Sequence, residues 1–151
     1  MLWLPLETLR VSTVGLYDDN RFPGRSLLAL DEHYTDLLDV PDDVMRLYLS
    51  DLRDVRTAIA KVTGASRINY AVLGNAEPHV HWHVIPRHPA DEPLPSNSPW
   101  QDPRPKEAMP PAALRRLASE LRSCLSDLAA TNDHGIETGP HFGPLRSGNG
   151  G

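Results

Sequence analysis

His79, His81 and His83 alternate with Val80, Trp82 and Val84 in one short apolar run. In an extended chain successive side chains point to opposite faces, so the three imidazoles share one face and the apolar residues the other. Four of the seven histidines, His79, His81, His83 and His88, fall within ten residues. A strand facing a core has little reason to line its other side with titratable rings.

Three kinds of chemistry fit such a face. Imidazole binds zinc, and His-x-His on a strand is one way to hold it. His79 and His83 would then be ~13 Å apart at ~3.3 Å per residue, while zinc holds each nitrogen at ~2.1 Å, so one ion does not take all three. The chain also lacks a cysteine cluster and a helical His-x-x-x-His. A structural role suits one half-buried histidine better than three in register. The third reading is covalent catalysis on phosphorus. A neutral imidazole attacks in line and forms a labile phosphoramidate that water opens. The flanking rings then donate to non-bridging and leaving-group oxygens as charge spreads. This reading uses every ring and needs no metal site in the protein.

The elements that must carry these rings are legible on either side of them. Leu9 to Tyr17 reads as a strand and Ser26 to Leu30 as a short buried one, joined by the turn Asp18-Asp19-Asn20-Arg21-Phe22-Pro23-Gly24. Pro41 opens a helix with Asp42 and Asp43 in its first turn, where acids suit the positive end. Val44, Tyr48, Leu52, Val55, Ile59 and Val62 form its apolar stripe, and Gly64 stops it. Arg67 to Leu73 reads as a strand, 74–78 as a loop, and the histidine strand follows to Pro86. Residues 89–111 hold eight of the fifteen prolines and predict a long surface loop with Trp100 as an anchor. A second helix runs from Pro111 to Ala130 on the stripe Leu114, Leu117, Leu121, Leu125 and Leu128, with Cys124 as a small apolar residue on the same side. The order β-β-α-β-β-loop-α predicts an α+β domain over residues 1–130, an antiparallel sheet with two main helices packed against it. The glycine-rich residues 131–151 read as a flexible tail.

Bulk properties narrow the partners. A chain of 151 residues with formal charge −5 is one acidic domain. Without a basic block, nucleic acid is not its expected partner. The single cysteine forms no intrachain disulfide, and the apolar opening residues are too short for a signal core and have no basic flank. No run reaches the ~20 residues of a membrane span. The expectation is a cytoplasmic protein with no membrane partner.

The stretch His79-Val80-His81-Trp82-His83-Val84-Ile85 resembles the His-φ-His-φ-His-φ-φ signature (φ apolar) of the histidine triad (HIT) superfamily of nucleotide hydrolases and transferases. Pro86-Arg87 after it resembles the fragile-histidine-triad and diadenosine polyphosphate hydrolase branch. Gly74-Asn75 is similar to a Gly-Gln pair before the triad. Leu16-Tyr17-Asp18 with Pro23-Gly24 is similar to the family's nucleoside-side hairpin.

The resemblance implies a nucleotide hydrolase acting at the α-phosphate of a polyphosphate or phosphoramidate. His81 is then the nucleophile, His83 contacts the phosphate and assists the leaving group, and His79 orients the nucleophile. His81 must attack through an unprotonated nitrogen, so its other nitrogen should donate to an acceptor such as a backbone carbonyl. Asn75 takes the place of a phosphate-side glutamine with one methylene less, and Ala76 stands where many members carry Ser or Thr. Asp18 falls where an acid or amide holds ribose hydroxyls, Arg87 is a candidate phosphate donor, and Leu27 and Phe22 are candidates for a base pocket. Trp82, on the opposite parity, is read as core or subunit contact. The resemblance further implies a homodimer sharing a ten-stranded sheet. No tightly bound cofactor is expected; Mg2+ would accompany the substrate phosphates without a dedicated protein site. A nucleotidyltransferase using the same intermediate and a nucleotide-binding protein with little turnover remain open.

Overall fold

The computed structural model describes residues 3–133. Its strands are β1 (Trp3–Thr8), β2 (Ser12–Tyr17), β3 (Ser26–Leu30), β4 (Arg67–Ala71) and β5 (His81–Arg87), and its long helices are α1 (Asp42–Thr63) and α2 (Pro111–Asp133). The strands form one five-stranded antiparallel sheet in the order β1-β2-β3-β5-β4. This is the expected α+β architecture with one strand more than the sequence suggested. Residues 3–8 carry Pro5, which cannot donate to a ladder and so speaks against a strand. At the sheet edge that cost is small, and the pairing shifts register between Pro5 and Glu7.

Strand parity divides the sheet. Val14, Leu16, Leu28, Leu30 and Val84 point to one face and join Tyr48, Val55 and Ile59 of α1 and Leu121 and Leu125 of α2 in the core. Burying each such aliphatic side chain contributes roughly 1.5–3 kcal/mol. α1 begins after Pro41 with Asp42 and Asp43 in its first turn, and ends at Gly64, which adopts φ 67° and donates its N–H to Ala60 O. A side chain at that left-handed position would be strained. Cys124 lies in the core as expected, and no helix among the described residues is long and apolar enough to cross a membrane.

Two buried polar contacts fix the layers. Tyr48 Oη donates to Leu28 O at 2.6 Å, tying α1 to the strand beside the histidines. Asp51, fully buried on α1, accepts from Arg10 N, Val11 N, Ser12 Oγ and Arg10 Nη1 at 2.7–3.2 Å, which pins the β1–β2 turn to the helix. The proline-rich segment is fastened to the β2–β3 turn and to Arg87 at the end of β5, and it contains a short 3-10 turn, Pro99–Gln101, closed by reciprocal hydrogen bonds between Ser98 and Gln101. The expected tail begins inside α2, which continues to Asp133; residues 134–151 of that tail lie outside the described residues.

Candidate active site

The face of the sheet opposite the helices carries the histidines. β3 and β5 pair so that Leu27 faces His83 and Ala29 faces His81. β2 sets Gly15 beside Leu27, and the parity that puts Leu16 in the core turns Tyr17 outward. Gly15 has a packing reason: a Cβ there would come within 2.1 Å of Trp3 Cε3, so the glycine lets the Trp3 ring lie on the strand.

His81 and His83 are on β5, as expected, but His79 is not. β3 ends at Leu30, whose N–H donates to Val80 O at 3.1 Å as the last bond between the two segments, so His79 lies beyond the ladder. The backbone there turns to other partners, His79 N donating to Glu77 O in its own turn and Val80 N to Tyr34 O in the segment after β3, both at 2.8 Å. His79 nevertheless stays next to His81. Its Nε2 lies 2.6 Å from Leu30 O, and its Nδ1 lies 2.9 Å from Nδ1 of His33. A carbonyl only accepts, so His79 Nε2 carries the hydrogen and, in the neutral ring, Nδ1 accepts from His33.

The same rule sets the state of His81. Its Nδ1 lies 2.7 Å from the backbone carbonyl of His79 and must donate to it. Neutral His81 therefore holds its lone pair on Nε2. His83 stands edge-on to His81, ring centroids 5.0 Å apart. Burial, the Arg25 charge and His81 together pull the His83 imidazolium down to about 4, so this ring is neutral at neutral pH. Its Nδ1 is buried without a partner.

Two cavities of about 370 Å³ each meet at His81. One extends past His83 to Tyr17, Arg25, Trp100 and the segment Leu73–Glu77. The other extends past His79 to Trp3 and Ala29. Leu27, Glu77 and His81 line both. An elongated ligand with a reactive centre at His81 has room on either side of it. Among the described residues no three His, Cys, Asp or Glu side chains form a group that could hold a metal ion.

The remaining candidates divide. Asn75 and Ala76 line the first cavity, where Ala76 brings no hydroxyl. Leu27 is at the floor of both lobes, but Phe22 is buried, with the guanidinium carbons of Arg21, Arg87 and Arg104 5.5–5.7 Å from its ring centre. Asp18 does not line either cavity; its Oδ1 accepts from Met109 N at 2.7 Å and fastens the end of the proline-rich segment. One residue earlier, Tyr17 takes the cavity position. Arg87 is likewise spent elsewhere. Its guanidinium is 4% exposed, paired with Glu92 and bonded to Asn69 Oδ1 at 2.6 Å and Asn97 O at 3.0 Å. It clamps the proline-rich segment rather than facing a phosphate. Trp82 packs against the core, as its parity required.

The cation that does reach the histidines is Arg25, which is not among the candidates drawn from the sequence. Its signal was available: it directly follows Pro23-Gly24 and shares the parity of Leu27 and Ala29. It is held by Asp19 and lies over the Tyr17 ring. Trp100 arrives from the proline-rich segment and meets His83 edge-on, 5.4 Å between centroids.

Comparison with known proteins places this geometry. Among curated proteins none matches the chain. The fold is shared by a histidine triad protein of Bradyrhizobium japonicum, 22% identical with a TM-score of 0.75 over 82% of this chain and 90% of that one. A histidine triad protein of Marinobacter aquaeolei is 22% identical with a TM-score of 0.74, over 83% of this chain and 90% of that one. The diadenosine triphosphate hydrolase of Plasmodium falciparum is more distant, 16% identical with a TM-score of 0.53, over 83% and 76% of the two chains. The family model of the HIT domain matches residues 12–90, from the first residue of β2 to just beyond β5. That stretch is just over half of the sequence and contains the whole histidine strand, and the chain therefore belongs to the HIT family.

Proposed function

We propose that this chain cleaves a nucleotide polyphosphate or phosphoramidate at its α-phosphate through a nucleotidyl-His81 intermediate. HIT proteins are generally nucleotide hydrolases or transferases. The observation that carries the reading is the hydrogen bond from His81 Nδ1 to the His79 carbonyl, which leaves the Nε2 lone pair free beside the cavities. In the first step Nε2 forms a bond to the α-phosphorus and the bond to the leaving oxygen or nitrogen breaks. The ring keeps its Nδ1–H and becomes a cationic phosphoramidate. In the second step water attacks the phosphorus, the P–N bond breaks and returns its electron pair to Nε2, and the proton from water passes to solvent or the departed group. An approaching phosphate opposes the Arg25 charge and favours protonated His83, which can then donate to a leaving atom. Any divalent cation, Mg2+ for example, comes with the substrate phosphates.

Two alternatives stay attached. An acceptor other than water makes the same intermediate a transferase. The intact triad argues against a nucleotide-binding protein with little turnover, while the missing hydroxyl at Ala76 and the short arm of Asn75 keep it an alternative. Rapid-quench mass spectrometry with dinucleoside polyphosphates and nucleoside phosphoramidates separates these readings. The expected result is one nucleotidyl group on His81, no adduct in His81→Gly, and turnover lower by several orders of magnitude in that variant. Near-normal turnover by His81→Gly would sink the nucleophile assignment. We also propose a cytoplasmic homodimer. The reading is supported by the unpaired outer edge of β4 and by Tyr70 and Leu73 exposed near it. Sedimentation at micromolar concentration tests it, and a monomer would refute it.

A further inference from the structure

Arg25 is a buried cation with an incomplete set of partners. Its side chain is 7% exposed, and its Nη1 donates to Asp19 Oδ2 at 2.9 Å. Its Nε is buried with no hydrogen-bond partner. Asp19 is also engaged by Arg21 through N, Nε and Nη2. One carboxylate thus answers two guanidiniums, and the trio keeps a net positive charge. A buried charge not fully compensated by protein is where an incoming anion gains most.

The guanidinium is aimed rather than loose. Its carbon lies 4.3 Å from the Tyr17 ring centre and 5.5 Å from that of Trp100. Lys106 adds a second cation, 4.4 Å from the Tyr17 ring centre, with its ammonium donating to the Tyr17 hydroxyl. Glu77 is the one carboxylate among the residues lining this cavity. Trp100 remains 47% exposed although the segment carrying it is closed by hydrogen bonds, so a large aromatic surface is held open beside the cationic edge. Positive charge next to an open aromatic ring suits a ligand that is anionic at one end and planar at the other.

We infer that Arg25 and Trp100 divide the recognition of a nucleotide between them, the free edge of the guanidinium taking a phosphate oxygen and the indole stacking the base. This rests on the nucleotide reading above and adds to it two specificity-determining residues outside the histidine strand. Arg25→Gln is a fair probe because Asp19 keeps Arg21, so no carboxylate is stranded, and the planar amide still fills the space beside Tyr17.

Equilibrium binding of AMP, adenosine and inorganic phosphate, by calorimetry and tryptophan fluorescence, tests the division without turnover. Wild-type protein should bind AMP at least about tenfold tighter than adenosine, the scale of one hydrogen bond to a charged group. Arg25→Gln should abolish that preference and weaken phosphate, leaving adenosine within roughly twofold; Arg25→Lys should restore part of it. Trp100→Leu should weaken AMP and adenosine alike by about tenfold and leave phosphate unchanged. The inference is overturned if Arg25→Gln weakens AMP and adenosine equally, if Trp100→Leu changes neither, or if the wild-type protein does not prefer AMP. The expected split in a protein that forms no His81 adduct would overturn the covalent reading and leave this one standing.

Discussion

Replacing Arg87 by methionine should cost far more than a surface ion pair would. Both partners are withdrawn from solvent, the Arg87 side chain 4% and the Glu92 side chain 3% exposed. Arg87→Met leaves the Glu92 carboxylate with a single donor, His88 N at 2.7 Å. It also frees the acceptors on Asn69 and Asn97 that Nη1 had satisfied. Stranding a buried charge costs about 3–5 kcal/mol. With a urea slope of about 2 kcal/mol/M, the midpoint of unfolding should fall by roughly 2 M. Adding Glu92→Leu removes the stranded charge, and the double variant should recover about 2 kcal/mol or more relative to Arg87→Met. Burial raises the Glu92 pKa, but the hydrogen bonds from Arg87 and His88 N and the Arg87 charge outweigh it and hold the group below the usual carboxylate range. Because the folded value lies below the unfolded one, the clamp's stability is present above the unfolded pKa and is lost as pH falls through the folded one. The gap between the wild type and Arg87→Met should therefore narrow in acid. A cost for Arg87→Met below about 1 kcal/mol, the surface-pair range, or a double variant no more stable than the single, would refute the reasoning.

His83 should titrate by NMR in the folded protein with a midpoint near 4. Between that value and about 6.5, where an unfolded histidine titrates, the unfolded state binds more protons, so stability should rise with pH across that window. A folded midpoint of about 6 or above would contradict this. Asp51→Ala orphans Val11 N and the buried Ser12 hydroxyl and should cost about 2–4 kcal/mol in urea unfolding; a loss under about 1 kcal/mol would show that the turn re-forms on water. Gly15→Val must displace the Trp3 ring and should destabilise by about 1–3 kcal/mol. Trp3→Ala should relieve most of that in the double variant, and purely additive costs would show that the ring is not in the way.

The histidine cluster is legible in the sequence, and its surroundings much less so. Alternation put His81 and His83 on one face, and helical spacing placed α1 and α2 on the other, because both patterns are local. β1 escapes the sequence patterns because Pro5 argues against a strand until the edge position is known. His79 was assigned to β5 because nothing in its own sequence says that β3 ends at Leu30 and leaves it unpaired. Asp18, Arg87 and Arg25 are the instructive set. All three are charged residues of the hairpin or the histidine strand, and which one meets the cavity depends on partners that spacing alone does not announce: distant Met109 for Asp18, Glu92 and Asn97 in the proline-rich segment for Arg87, Asp19 for Arg25. A local pattern names the charges available but not the ones already taken.

The acceptor behind His81 is a main-chain carbonyl, and this bears on how deep the intermediate sits. In the proposed reaction, the bond from Nε2 to phosphorus would make the ring cationic, and its Nδ1–H would donate more strongly to the same oxygen. The contact therefore favours the adduct over the free ring. A neutral amide oxygen exerts that pull without a full counter-charge. A carboxylate in its place would stabilise the cation further, deepening the well and slowing the exit to water. In the proposed reaction the chain direction at residues 79–81 would thus set the partition between forming the adduct and discharging it, with an atom that no side-chain substitution at position 79 removes.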